Sequence, residues 1–292
     1  MEEIKLQKRL SVITDCVIFL VLLLISITLL QKLNIVMAKQ TNKYNEIIPI
    51  VSEDADTNIL EENNMYVKKI KKEYGISVLY GKDVSNYAAK VNGCEQTNIY
   101  VINNNLSKIY KVLQKYPNDI FRVESSKQPL YIMLIDKFSD DSLALASRNN
   151  LSEFRIYICN TDKFERALHH EIYHILEYCM EDKQKYIFAS WYKTNPEGYT
   201  YDADITKLDM NYVYEYNKLS SKDLKNVYFV SKYAKTDEKE DRAEVFAELM
   251  SMEKLPPYFK KDENIRKKAD MILDNISRNI TNDLDFPFKF LK

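Results

Sequence analysis

Residues 163–181 read KFERALHHEIYHILEYCME, and their spacing predicts a helix from about Lys163 to Glu181. Leu168, Ile172, Ile175 and Cys179 fall at i, i+4, i+7 and i+11, one apolar stripe that a 3.6-residue period lays against a core. Within that helix His170-Glu171-Ile172-Tyr173-His174 sets two imidazoles four residues apart, one turn above each other on one face. Both rings can then reach a single divalent ion at roughly 2.0–2.1 Å, while Glu171 stands beside them, placed for a water molecule more than for the ion. All 3 histidines of the chain lie in this window, so the pattern owes nothing to an abundance of histidine. The bland account is the exposed polar side of an amphipathic helix. His169 falls off the ligand face and reads as a supporting or surface residue.

A catalytic ion of this kind needs a third protein ligand and an open position. No histidine remains, so the ligand must be Asp, Glu or Cys. The segment EDRAEVFAE, residues 240–248, carries acids at Glu240, Glu244 and Glu248 on one helix face. One of them can bind zinc while another orients a ligand histidine through its free ring nitrogen. Spacing does not choose among them. Taken alone, the segment is a solvated acidic face; beside a histidine pair that lacks a third ligand, that account loses.

Working outward, ISVLY (76–80), ending at Gly81, and LYIMLI (130–135) read as strands, and so does FRIYIC (154–159), which is available to pair with an extended peptide. Ile99, Ile102, Leu106, Ile109 and Leu113 mark a helix over 98–115 that Pro117 ends, and Asn160-Thr161 offers a turn before the histidine helix. Further helices are expected in part of 219–234 and over 240–252 and 264–280. Strands mixed with helices, followed by helices alone, give an α+β class.

The 292 residues suit one large domain or two packed ones. A net charge of −1 supplies no field for nucleic acid, and 4 glycines leave no phosphate-cradling loop. Of Cys16, Cys94, Cys159 and Cys179, none shows a C-x-x-C spacing, and buried thiols are preferred over a disulfide framework, with one bridge left open. CVIFLVLLLISITLL (16–30) is uncharged and follows Lys5, Lys8 and Arg9. The expected layout is a basic region 1–11, a transmembrane signal anchor or cleaved signal peptide 12–33, and a polar linker 34–65. A catalytic part with the HExxH helix follows over 66–181, and a helical part with the third zinc ligand over 182–292. The chain would then be single-pass at the cell membrane with its catalytic part outside the cytoplasm, or secreted after cleavage.

The stretch VSKYAKTDEKEDRAEVFA, 230–247, resembles the third-ligand segment of bacterial zinc-binding metallopeptidases and, more remotely, the lethal-factor-like and Pro-Pro endopeptidase group of gluzincins. In that pattern Tyr-Ala-x-Thr precedes Glu-Asp-x-Ala-Glu. The resemblance implies a zincin-like domain, a mixed sheet plus active-site helix with a mainly helical C-terminal part, behind an N-terminal hydrophobic helix. It implies Zn²⁺ held by His170, His174 and Glu240, with Glu171 as general base, Tyr233 as transition-state stabiliser and Glu244 behind a ligand. WYKTNPEGYTY, 191–201, also resembles a recurring element of that group and reads as a loop with a Pro-Gly turn. The expected activity is hydrolysis of peptide or protein substrates. The alternative is a membrane-anchored binding protein that holds zinc without catalysis. An intramembrane peptidase fails because the motif lies far from the hydrophobic segment.

Overall fold

The computed structural model describes residues 53–125, 128–149, 153–209, 213, 227–252 and 262–281, without the side chains of 53–55 and 122–125. The segment 12–33 and its basic leader lie outside the described residues. Among the described residues no helix is long and apolar enough to cross a membrane.

The chain runs α1 (Glu53–Tyr74), β1 (Ser77–Leu79), α2 (Ser85–Ala88), β2 (Gly93–Glu95), α3 (Ile99–Leu113), α4 (Asn118–Ser125), β3 (Leu130–Phe138), β4 (Ala144–Asn149) and β5 (Glu153–Cys159). The histidine helix α5 (Phe164–Lys183) follows, then α6 (Glu238–Ser251) and α7 (Glu263–Asn279), with short 3₁₀ turns at Trp191–Thr194 and Tyr233–Lys235. It is a mixed α/β architecture. The sheet order is β1-β3-β5-β4, with β2 also paired to β3. β1, β3 and β5 are parallel, whereas β4 runs antiparallel to β5 as the outer strand.

β3 and β5 are buried on both faces, which their apolar runs permit. The two-residue period splits them: Ile132, Leu134, Ile156 and Ile158 join the helices in the main core, while Met133, Ile135, Tyr157 and Cys159 face a smaller cluster around Val84 and Ala88. Each fully buried Ile or Leu of this kind contributes about 1.5–3 kcal/mol. Because β5 is internal, the expectation that 154–159 takes a peptide by edge addition is corrected: the outer strand is β4.

A second correction concerns the linker. Helix α1 begins at Glu53, within the stretch read as polar and aperiodic. Its buried stripe is Asn63, Ile70 and Tyr74, with Tyr66 and Val67 packed beside it. The stripe is masked in the sequence because its first buried position is an asparagine, whose Nδ2 donates to the Ile99 carbonyl at 3.3 Å. Leu60 and Met65, the tempting apolar residues, are exposed. Of the helix expected within 219–234, residues 219–226 lie outside the described residues. Over 227–234 the chain instead has a β-bridge at Phe229 to Val213 and enters the 3₁₀ turn at Tyr233.

The strands expected at 76–80, 130–135 and 154–159 and the helices expected over 98–115, 163–181, 240–252 and 264–280 are present, whereas α2, β2, α4 and β4 were not foreseen. Asn98 caps α3, its Oδ1 accepting from Tyr100 N at 3.0 Å and Val101 N at 3.2 Å. Asp237 caps α6 by accepting from Lys239 N at 2.7 Å. α6 lies antiparallel on α5, tied by Lys239 to Glu181, by Arg242 Nε to Glu177 at 2.6 Å, and by Arg166 to Glu244. α7 packs behind α6. Cys94, Cys159 and Cys179 are free thiols.

Candidate metal centre

Four residues separate the end of β5 from the start of helix α5, so the first turns of α5 lie across the sheet beside β4. The Leu168–Ile172–Ile175–Cys179 stripe is buried in the core, which turns His170, Glu171 and His174 toward β4 and α6. A cavity of about 430 Å³ opens there, walled by residues 141–146 on one side and by Tyr233 and Glu240 on the other.

The two histidines and Glu240 converge. His170 Nε2 lies 3.1 Å from His174 Nε2, and Glu240 Oε2 lies 2.9 Å from the first and 3.5 Å from the second. They form a group able to hold a metal ion. Four ligands at 2.0–2.1 Å in a tetrahedron stand about 3.3 Å apart, and the three observed separations bracket that edge. The residues present therefore fit a zinc-sized ion bound by two nitrogens and one oxygen, with the fourth direction open to the cavity.

The sequence left the choice between Glu240 and Glu244 to a resemblance; the geometry separates them. Glu244 sits behind His170, accepting from Nδ1 at 2.9 Å. That contact suits a proton on Nδ1 and leaves Nε2 as the ring nitrogen directed toward Glu240 and His174. Arg166 donates to both Glu244 oxygens, at 2.9 and 2.8 Å, and Ser231 Oγ donates at 2.5 Å. Burial alone would raise the Glu244 carboxyl, but the hydrogen bonds from His170 and Arg166 hold it well below the usual range. Glu240 behaves alike: burial opposes ionisation, and the two histidines outweigh it. The same carboxylates bring His170, which burial would lower, up to about 10. A donor set that holds a proton so firmly also favours a divalent cation.

Glu171 is buried beside the pair. Burial raises its carboxyl, the two histidines pull it back, and the Ala146 backbone N–H on β4 donates to it. Tyr233 is 45% exposed at the cavity mouth, its ring centroid 5.9 Å from that of His170. Burial of its hydroxyl and the nearby Glu240 charge push the phenol above its ordinary value, so it remains a donor at neutral pH. Its turn is fixed by Thr236 Oγ1, which donates to the Tyr233 carbonyl at 2.7 Å, and by Ala234 N, which donates to Ser231 Oγ at 3.1 Å.

His169 does not support a ligand, nor does it lie at the surface. It is fully buried, with Nδ1 2.6 Å from the Tyr116 hydroxyl. The odd position on the helix sends it into the core between α3 and α6.

Sequence reasoning missed three contributors. Arg166, one turn before His170, is on the helix face that already carries the motif, and its spacing was the available signal. Lys268 gave none, and Asp241 offered only its place in the Glu-Asp-x-Ala-Glu pattern. Asp241 points away from the cavity and is fully buried, where its Oδ2 accepts from Lys268 Nζ at 2.6 Å, Tyr201 OH at 2.8 Å and Trp191 Nε1 at 3.0 Å. The WYKTNPEGYTY loop thus anchors the ligand helix from behind. Its turn closes with Tyr199 N on the Pro196 carbonyl, and Gly198 takes φ +72°, which suits a residue without a side chain.

No protein-family model matches the chain, and no curated protein matches it. Among solved structures it is similar to a protein from Bacteroides caccae described as a candidate zinc-binding metallo-peptidase, with 18% identity and a TM-score of 0.50 over 80% of this chain and 91% of that one. At that identity the likeness is one of fold: the chain has a zinc-metallopeptidase-like fold with a His170–His174–Glu240 group able to hold a metal ion at its centre.

Proposed function

We propose that the chain is a zinc-dependent endopeptidase of the gluzincin type. It acts outside the cytoplasm on peptide or protein substrates, held at the membrane by segment 12–33 or secreted if that segment is removed. The observation that carries the reading is the convergence of His170 Nε2, His174 Nε2 and Glu240 Oε2 at tetrahedral-edge separations beside a buried glutamate and a tyrosine hydroxyl.

Zinc, when bound, supplies a Lewis acid that brings the pKa of a water toward 7 and polarises a carbonyl. His170 and His174 offer neutral nitrogens, and Glu240 a carboxylate. Glu244 accepts the His170 Nδ1 proton and so holds the ring in the ligating tautomer. An extended substrate pairs with the outer edge of β4, which sets its scissile carbonyl over the cavity. Glu171 takes a proton from the attacking water as general base and passes it to the leaving amine, and burial, by raising its carboxyl, favours its holding that proton in between. The Tyr233 hydroxyl donates to the carbonyl oxygen as negative charge grows there.

Glu171→Gln tests the reading directly. Hydrolysis of a peptide pool, followed by mass spectrometry, should fall by about 10²–10⁴-fold, while bound zinc stays stoichiometric. A variant that cuts at the wild-type rate would remove the base assignment, and a wild-type chain without stoichiometric zinc would remove the reading as a whole.

A further inference from the structure

Nine large apolar side chains are exposed among the described residues, and five of them line two cavities that share Lys239. Leu143, Leu145 and Tyr233 rim the metal cavity. Tyr186 and Tyr192 rim a second depression of about 560 Å³, between the C-terminal end of α5 and the first turn of α6. Scattered apolar residues need no explanation, but a contiguous run of them marks a binding surface.

The two cavities adjoin. Lys239 lines both, with its Nζ 3.0 Å from Glu181 and 5.6 Å from the Tyr178 ring. An exposed ion pair of this kind is weak, so it makes a low sill that a chain can cross. The second depression is rigidly founded. Phe188 and Trp191 pack edge to face at 5.9 Å beneath it, with the Arg242 guanidinium 4.5 and 5.6 Å from their rings. Above that base Tyr186 is 85% exposed and Tyr192 64% exposed. Tyr186 also holds φ +62°, a left-handed conformation that is costly for a bulky residue. The backbone bears that cost to stand a ring in solvent.

We propose, resting on the peptidase reading above, that the metal cavity and this depression form one substrate groove. In it Tyr186 and Tyr192 grip a large apolar or aromatic side chain three to five residues on the N-terminal side of the scissile bond. The direction follows from the sheet. β4 starts near the first turns of α5 and ends near its last, where Arg148 pairs with Asp182. Antiparallel pairing is the more stable choice for a strand added to β4, and it points the substrate's N-terminal half toward the end of α5. The distance follows from the helix. Glu181 lies seven residues beyond His174, about 10 Å along the axis at ~1.5 Å per residue, and Tyr186 lies further on. An extended peptide covers that span in three to five residues at ~3.3 Å each.

The test uses full-length, zinc-loaded Glu171→Gln protein as a trap that binds without cutting. A randomised dodecapeptide library is panned on it, and the bond cut in each retained peptide is located with wild-type protein. Retained peptides should share an aromatic or large aliphatic residue three to five positions upstream of that bond. Adding Tyr186→Ala and Tyr192→Ala to the trap should erase the enrichment. It should also lower, by about tenfold, the ratio of affinities for long peptides over ones truncated two residues upstream, a change of ~1.4 kcal/mol. The Tyr186→Phe/Tyr192→Phe pair should keep both. No enriched upstream position, or an enrichment that survives the alanine pair, overturns the proposal. Peptides that bind with the enrichment but stay intact with wild-type protein would instead sink the hydrolase reading and leave the groove standing.

Discussion

The Glu244 carboxylate receives four hydrogen bonds, two from Arg166 and one each from His170 and Ser231, and it sits on the Nδ1 side of His170, opposite the Nε2 that meets Glu240. Glu240, one turn earlier, faces the cavity directly. Two glutamates four residues apart thus have different partners, set by which histidine nitrogen each one meets. The pair His170 and His174 was legible because four residues on a helix is a local geometry that composition cannot blur. The division of labour between the glutamates was not, since it depends on how α6 is rotated against α5. Tyr233 belongs to this scale too. Removing its hydroxyl should leave the metal and the fold in place and cost the reaction a donor at the carbonyl oxygen. Tyr233→Phe should therefore lower kcat by about 10²–10³-fold with little change in KM, as progress curves on one cleaved peptide would reveal. A kcat within twofold of wild type would take Tyr233 out of the reaction.

At the scale of elements, α6 carries three buried charged side chains, Asp241, Arg242 and Glu244. Its Glu240 faces the cavity, while Asp241 is locked to Lys268 of α7, both side chains fully buried. Breaking such a pair strands a charge, at about 3–5 kcal/mol. Lys268→Met should lower stability by that amount, read from denaturant midpoints, and pairing it with Asp241→Leu should recover much of the loss. If the double variant loses the sum of the two singles, the charges are uncoupled. The WYKTNPEGYTY loop was legible as a turn, and its task as a brace for Asp241 was not, because every partner is distant in sequence. β4 was missed for another reason. ALASRN carries little β-propensity, and it is a strand because β5 templates it; the wall of the cavity was therefore invisible to a search for apolar runs. α1 was hidden by one asparagine at a core position.

The molecule as a whole is rich in tyrosine, with 22 residues. Burial raises the phenols of Tyr74, to about 12, and of Tyr116 and Tyr173 well beyond the ordinary value of 10, and it raises the Cys159 thiol to about 11. For each, the folded chain keeps a proton that the unfolded chain releases. Their contribution is complete below the unfolded values, near 9 for the thiol and 10 for the phenols, and is lost as pH climbs through the folded ones. Denaturant midpoints should accordingly fall more steeply above pH 9 than below it, where only the raised His170 weighs on the metal-free chain; a level profile from pH 9 to 11 would contradict the burial. The mixture of strands and helices and the helix that carries the histidines were legible at this scale because they rest on local periodicity, whereas the sheet order was not. One consequence of the donor arrangement reaches beyond chemistry. Two donors come from a single turn of helix and the third from 70 residues after the first, so an ion seated among them acts as a clasp. Such an ion would close a long loop whose ends drift apart in the unfolded chain, so its binding would add directly to the stability of the fold.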